Sequence, residues 1–215
     1  MINQAHLGLD ASYYGRERPS IYNRIDEGPN VVLDLGCGMG ALGRKLRELN
    51  KAKELVGVEI FETAGKEAAK FYDKVYIGDI EGMQLQYSDF FDYAICGDIL
   101  EHTKDPYRLV SQIRTWLKPG GRLLCRLPNV RNWHVWSKLI FRGQWEYEDS
   151  GILDATHLRF FTRKSGCKMV ADAGLLVENC TMLTYGAKKL FLNALTLRLF
   201  EEFLALQFVV VARKA

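Results

Sequence analysis

Asp34-Leu35-Gly36-Cys37-Gly38-Met39-Gly40 is the stretch on which the reading of this chain turns. It grows out of VVLDLG (31–36), a short apolar run of the kind that forms a buried strand. Three glycines at alternate positions then let the backbone bend sharply and let a ligand approach with no Cβ in the way. A helix is expected over about 40–50, with Leu42, Leu46 and Leu49 on one face. Its first N–H groups are free for the negatively charged end of a ligand.

Working outward, strands and helices alternate. ELVGVEI (54–60) reads as a second strand, followed by a helical stretch to about Phe71, and KVYIGD (74–79) as a third strand. FFDYAICG (90–97) is a fourth. Asp105-Pro106 supplies an N-cap and first-turn proline for a helix to Leu117, which Lys118-Pro119-Gly120-Gly121 ends. RLLCRLP (122–128) is a fifth strand. This alternation predicts an α/β fold with a parallel sheet covered on both faces. After Pro128 the rhythm breaks into an irregular aromatic stretch, 129–161. A helix near 163–173, a strand at 175–183, an apolar helix at about 187–204 and a last strand at 206–214 complete the chain.

Gly38-Met39-Gly40-Ala41-Leu42-Gly43 also spells the dinucleotide fingerprint GxGxxG. In that fingerprint the first glycine follows the strand almost directly, whereas here Asp34-Leu35-Gly36-Cys37 intervenes. Glu59 does not separate the readings, because an acidic residue ending the second strand binds ribose hydroxyls in either. The ordered set of Asp34–Gly40, GVEI (57–60), GDI (78–80), FDYAICGDILEH (91–102) and LKPGGRL (117–123) does separate them. Over roughly residues 30–128 it closely resembles the class I S-adenosylmethionine-dependent methyltransferases.

The resemblance implies a Rossmann-like, mostly parallel seven-stranded sheet with helices on both faces and an antiparallel last strand. It implies S-adenosyl-L-methionine as cofactor. Gly36, Cys37, Gly38 and Gly40 would cradle the methionine portion, with Asp34 near its amino group and Gly97 beside it. Glu59 would accept from both ribose hydroxyls, since a carboxylate offers two oxygens to a vicinal diol. Asp79 would accept from the adenine amino group, the Ile80 N–H would meet the ring, and Ile60 would pack on the adenine face.

Methyl transfer from a sulfonium needs a positioned nucleophile and exclusion of water, and a hydroxyl acceptor gains from a general base. His102, in DILEH, and His157, in GILDATHLRFFT (151–162), are the expected acceptor-side residues. The His157 segment resembles one in an uncharacterised bacterial and archaeal methyltransferase group often linked to surface-sugar genes. It also weakly resembles the Thr-His segment of ubiquinone-pathway O-methyltransferases. His134, in NVRNWHVW, is as readily packed against aromatics. Asp98, Glu101, His102 and His157 raise a metal reading, because small-RNA 2′-O-methyltransferases bind a metal with a similar segment. Asp98 stands where that family has Glu, and a second adjacent histidine is missing, so no metal is expected.

The 215 residues suit one domain, 1–215, with an N-terminal cap (1–29) that includes Tyr13, Tyr14 and Arg16, and an aromatic lid or acceptor insertion (129–161). Trp133, Trp136, Trp145, Tyr147, Phe160 and Phe161 either line an acceptor pocket or form a small lid core. A net charge of +3, with scattered Lys and Arg, argues against nucleic acid as partner. Five cysteines without a CxxC pair argue against a disulfide framework and for a reducing cytoplasm. No signal peptide or membrane span is read. The apolar stripe at 187–204 is expected to be core, with a homodimer contact, a membrane surface or another partner as the alternatives. The expected activity is methyl transfer to an O or N atom of a small molecule, with a sugar or surface-polysaccharide precursor in view. A methyltransferase-like binding module without turnover and, further off, an NAD-dependent oxidoreductase are the competing functions.

Overall fold

A computed structural model describes residues 18–184, 186, 195–197 and 199–215. Tyr13, Tyr14 and Arg16, and half of the helix expected at 187–204, lie outside these residues. The elements in chain order are α1 (Pro19–Tyr22), β1 (Val31–Leu35), α2 (Ala41–Glu48), β2 (Glu54–Glu59), α3 (Glu62–Ala68) and β3 (Lys74–Ile77). β4 (Phe91–Gly97), a 3₁₀ turn (Leu100–His102), α4 (Pro106–Trp116) and β5 (Leu117–Pro128) follow. Then come α5 (Trp133–Arg142), α6 (Arg163–Asp172), β6 (Leu175–Leu183), α7 (Glu201–Leu204) and β7 (Gln207–Lys214).

The seven strands form one sheet in the order β3-β2-β1-β4-β5-β7-β6. β1 to β5 are mutually parallel, and β7 runs antiparallel between β5 and β6. β1, β2, β4 and most of β5 read as apolar because both of their sides are covered, whereas the edge strand β3 holds no buried residue. Strand alternation divides their side chains between two cores. Leu33, Leu35, Ala94 and Cys96 join Leu109, Ile113 and Trp116 of α4 on one side. Val32, Tyr93 and Ile95 join Ile21, Leu42, Leu46 and Tyr72 on the other.

α4 starts as expected, its Asp105 carboxylate accepting from the Arg108 N–H at 3.0 Å. Three expectations need correction. Lys118–Gly121 does not precede the fifth strand: β5 begins at Leu117, which pairs with Phe91, and its register shifts further along. The stretch 129–161 is not irregular throughout. The Asn132 side chain caps α5 by accepting from the His134 N–H at 3.0 Å, and Gly143 closes the helix at φ +64°. Finally, Leu195, Leu197 and Leu199 are exposed rather than core. The short α5 was obscured because its apolar residues are spread around the helix and several stay exposed.

Candidate functional site

All the expected cofactor residues lie at or just beyond the carboxyl ends of β1 to β4, the edge where open α/β sheets bind ligands. Gly36, Gly38 and Gly40 have φ of +71°, +57° and +86°, a region that favours glycine. At Gly40 a Cβ would also stand 2.9 Å from the Ala68 Cα, so only glycine fits there. Gly43, the last glycine of the GxGxxG pattern, answers to packing instead. A Cβ there would strike the Tyr72 ring at 2.2 Å.

Tyr72 links that helix packing to the site. Its hydroxyl donates to Asp34 Oδ2 at 2.6 Å. Asp34 is fully buried, and its Oδ1 has no hydrogen-bond partner. Burial raises the Asp34 pKa to about 6, against the opposing pull of the Arg18 guanidinium and the Tyr72 hydroxyl. Burial and the neighbouring Asp34 and Glu59 carboxylates push the Cys37 thiol well up, so it stays protonated.

Glu59 has a role that sequence reasoning missed. Its Oε2 accepts from the Gly38 N–H at 2.8 Å and its Oε1 from the Phe61 N–H at 3.0 Å. The buried carboxylate therefore braces the glycine loop, and each oxygen keeps a lone pair for a further donor. Ile60 is 46% exposed, an apolar face open to a flat ligand. Asp79 is exposed and its Oδ1 accepts from the Glu81 N–H, while Ile80 is buried. Gly97 is buried against Arg18: a Cβ there would meet the guanidinium at 2.8 Å. Arg18 was also missed, since an arginine just before a short helix carries no local signature.

Beyond Gly97 the backbone turns at Asp98, a non-glycine residue at φ +61°. Asp98 is held by Arg126, whose Nε donates to Oδ1 at 2.9 Å while a second guanidinium nitrogen donates to Oδ2. Gln207 Nε2 donates to the same Oδ1 at 2.8 Å. The next turn carries Glu101 and His102, and the lid returns to it. The Leu158 and Arg159 N–H groups donate to the Glu101 carbonyl at 2.8 and 3.0 Å.

That return brings His157 beside His102, with ring centroids 4.8 Å apart. His157 Nδ1 lies 2.9 Å from the Ile152 carbonyl, and His102 Nδ1 3.2 Å from the Thr156 carbonyl. A carbonyl only accepts, so both Nδ1 atoms carry the proton and both Nε2 atoms carry a lone pair. Burial lowers the His102 pKa, and the neighbouring His157 lowers it further. Glu101 is 1% exposed, and neither of its carboxylate oxygens has a partner. Burial, then the Asp98 charge, raises its pKa well above the usual range. His134 is exposed on α5, apart from this group.

The aromatic insertion divides in two. Trp133 and Trp136, edge to face at 4.5 Å, line an apolar cavity with Phe200, Phe203 and Leu204. Phe160 packs against Trp145 at 5.2 Å and lies 6.3 Å from the His157 ring. Among the described residues, no helix is long and apolar enough to cross a membrane.

Comparisons with known proteins agree with this fold. Residues 11–179 match the family model described as a methyltransferase domain. The ubiquinone biosynthesis O-methyltransferase of Aeromonas salmonicida is 28% identical over 163 residues, covering 72% of this chain and 66% of that protein. The chain thus spans about two thirds of that relative. A methyltransferase dependent on S-adenosylmethionine from Archaeoglobus fulgidus superposes with a TM-score of 0.68 at 18% identity, over 92% of this chain and 91% of that one. One from Mesorhizobium loti gives 0.66 at 18%, over 91% and 96%.

Proposed function

Since the chain belongs to the class I S-adenosylmethionine-dependent methyltransferase family, we propose that it methylates an oxygen or nitrogen of a small molecule, a hydroxyl being the favoured acceptor. The observation that carries the reading is the glycine loop braced by buried Glu59, with the His102–His157 pair one turn beyond Gly97. The cofactor's fit rests on this chain's own atoms. The orphaned Asp34 Oδ1 suits an ammonium group, the Arg18 guanidinium a carboxylate, and the exposed Ile60 face a purine. Glu59 keeps lone pairs for ribose hydroxyls, and Asp79 stands at the expected adenine end. S-adenosylmethionine, when bound, supplies a sulfonium methyl and its own leaving group.

The residues then do three things. Asp34, Arg18 and Glu59 orient, the lid around Phe160 excludes water, and His157 or His102 holds a neutral Nε2 that can accept an acceptor hydroxyl's proton. The relatives' name as O-methyltransferases supports oxygen over nitrogen. Aromatic and sugar hydroxyls are the acceptor classes to compare. The test is calorimetry followed by an acceptor panel. S-adenosylhomocysteine is expected to bind in the micromolar range and NAD not at all, and His157→Asn to lower turnover about 10²-fold with cofactor affinity kept. Tight NAD binding without S-adenosylhomocysteine binding would sink the cofactor assignment. Near-normal turnover in His157→Asn, with a large drop in melting temperature, would make that residue a lid fastener instead.

Asp34 gives this reading a pH signature. With a pKa near 6 in the free protein, Asp34 is largely neutral at pH 5 and loses its attraction for an ammonium group. Cofactor affinity is therefore expected to fall about tenfold per pH unit below 6. The sign for stability is opposite. A carboxyl whose pKa is raised by folding favours the fold fully below the unfolded value near 3.8, and that contribution is lost as pH rises through 6. Asp34→Asn should thus raise the melting temperature of the free protein at pH 8 while weakening cofactor binding. Calorimetry from pH 5 to 7.5 decides, and a flat affinity profile would remove Asp34 from the ammonium site.

A further inference from the structure

We propose that Glu101, His102 and His157 form a binding site for one divalent transition-metal ion, of the zinc, cobalt or manganese type, reversing the sequence expectation of no metal. The inference deepens the methyl-transfer reading, since it names what stands on the acceptor side of that site. One ligand atom from each residue lies within 4.8 Å of the other two. Ions of this kind bind nitrogen and oxygen at about 2.0–2.2 Å, so modest side-chain adjustment closes the set.

Three independent features point to a cation. The first is the Glu101 carboxylate, buried to 1% exposure with both oxygens lacking any hydrogen-bond partner. Buried carboxylates are otherwise paired or bound to metal. The second is the histidine tautomer. Both rings spend Nδ1–H on a backbone carbonyl, Ile152 for His157 and Thr156 for His102, which leaves both Nε2 lone pairs available. Histidines that bind metal are fixed in this way, with the other ring nitrogen donating to a carbonyl or carboxylate. The third is the support around them. Asp154 accepts from the Thr156 N–H and hydroxyl at 2.8 and 2.6 Å, and Thr156 in turn contacts His102.

Asp98 is not part of the set, because both its oxygens are taken by Arg126 and one also by Gln207. Two nitrogens and one carboxylate leave coordination positions open, as in sites that bind substrate oxygen. A hydroxyl held there would be polarised and would lose its proton to solvent more readily, its oxygen taking the methyl as the sulfonium leaves as a neutral thioether. With an ion bound, both Nε2 lone pairs serve as ligands, so the ion's polarising effect takes over the part a histidine base plays in its absence.

The test is metal binding by the full chain after treatment with a chelator. Co²⁺ titration followed by its visible absorption, with Zn²⁺ competition, is expected to saturate at one equivalent. Glu101→Gln and His157→Asn should each weaken Co²⁺ binding 100-fold or more while S-adenosylhomocysteine affinity stays within about threefold. Absence of saturable Co²⁺ and Zn²⁺ uptake by the wild type would overturn the site, as would unchanged uptake in His157→Asn. If Glu101→Gln fails to fold, His157→Asn and His102→Gln decide alone. Metal uptake without transfer to any hydroxyl acceptor would leave the site standing and remove the O-methylation reading.

Discussion

Glu59→Ala is expected to weaken S-adenosylhomocysteine binding by about 2–4 kcal/mol, and also to destabilise the free protein. The affinity loss comes from two hydrogen bonds between ribose hydroxyls and a charged acceptor, each about 1.5–3 kcal/mol, less what water restores. The stability loss has a separate origin. The Gly38 and Phe61 N–H groups both donate to Glu59, and alanine leaves them to water or to nothing. A cost of about 2 kcal/mol lowers the melting temperature of a chain of this size by about 4–8 °C. Glu59→Gln, which keeps one acceptor oxygen, should fall between wild type and alanine in both measurements. If the alanine variant binds the cofactor normally with the fold intact, the ribose lies elsewhere. If affinity falls with no change in melting temperature, the loop brace contributes little.

Asp98→Ala should be the most destabilising of these substitutions, by about 3 kcal/mol or roughly 10 °C in melting temperature. It withdraws from Arg126 a bidentate carboxylate that is itself mostly buried, and from Gln207 an acceptor at 2.8 Å. It also places alanine at φ +61°, where aspartate and asparagine are better tolerated. Asp98→Asn separates the two causes, since it keeps the backbone preference and removes the charge. Because Asp98 fixes the start of the turn that carries Glu101 and His102, its loss should also lower turnover in the fraction that stays folded. Thermal melts of both variants decide. A loss below about 1 kcal/mol for alanine would mean that Arg126 finds equal support among its other neighbours.

The sequence by itself determined the strand–helix alternation, the glycine loop and the cofactor edge. Each is written in neighbouring residues: apolar runs of strand length, Asp105-Pro106 at a helix start, glycines where the backbone enters positive φ. The ordered motifs from Asp34 to Leu123 did the rest, because loop and strand-end residues sit in a fixed relation to one sheet edge. Tertiary structure alone decided what long-range contact decides. Nothing local says that Gly43 makes room for Tyr72, that Tyr72 reaches Asp34, or that Glu59 folds back onto Gly38 across 21 positions. Nothing local separates Asp98, claimed by Arg126 from the adjoining β5, from Glu101 three residues on, whose oxygens find no partner. His157 comes beside His102 across 55 positions of chain, through a lid whose backbone bonds to the Glu101 carbonyl. A histidine's neighbours at that separation depend on how the insertion docks, and docking depends on packing and backbone hydrogen bonds that no periodicity records.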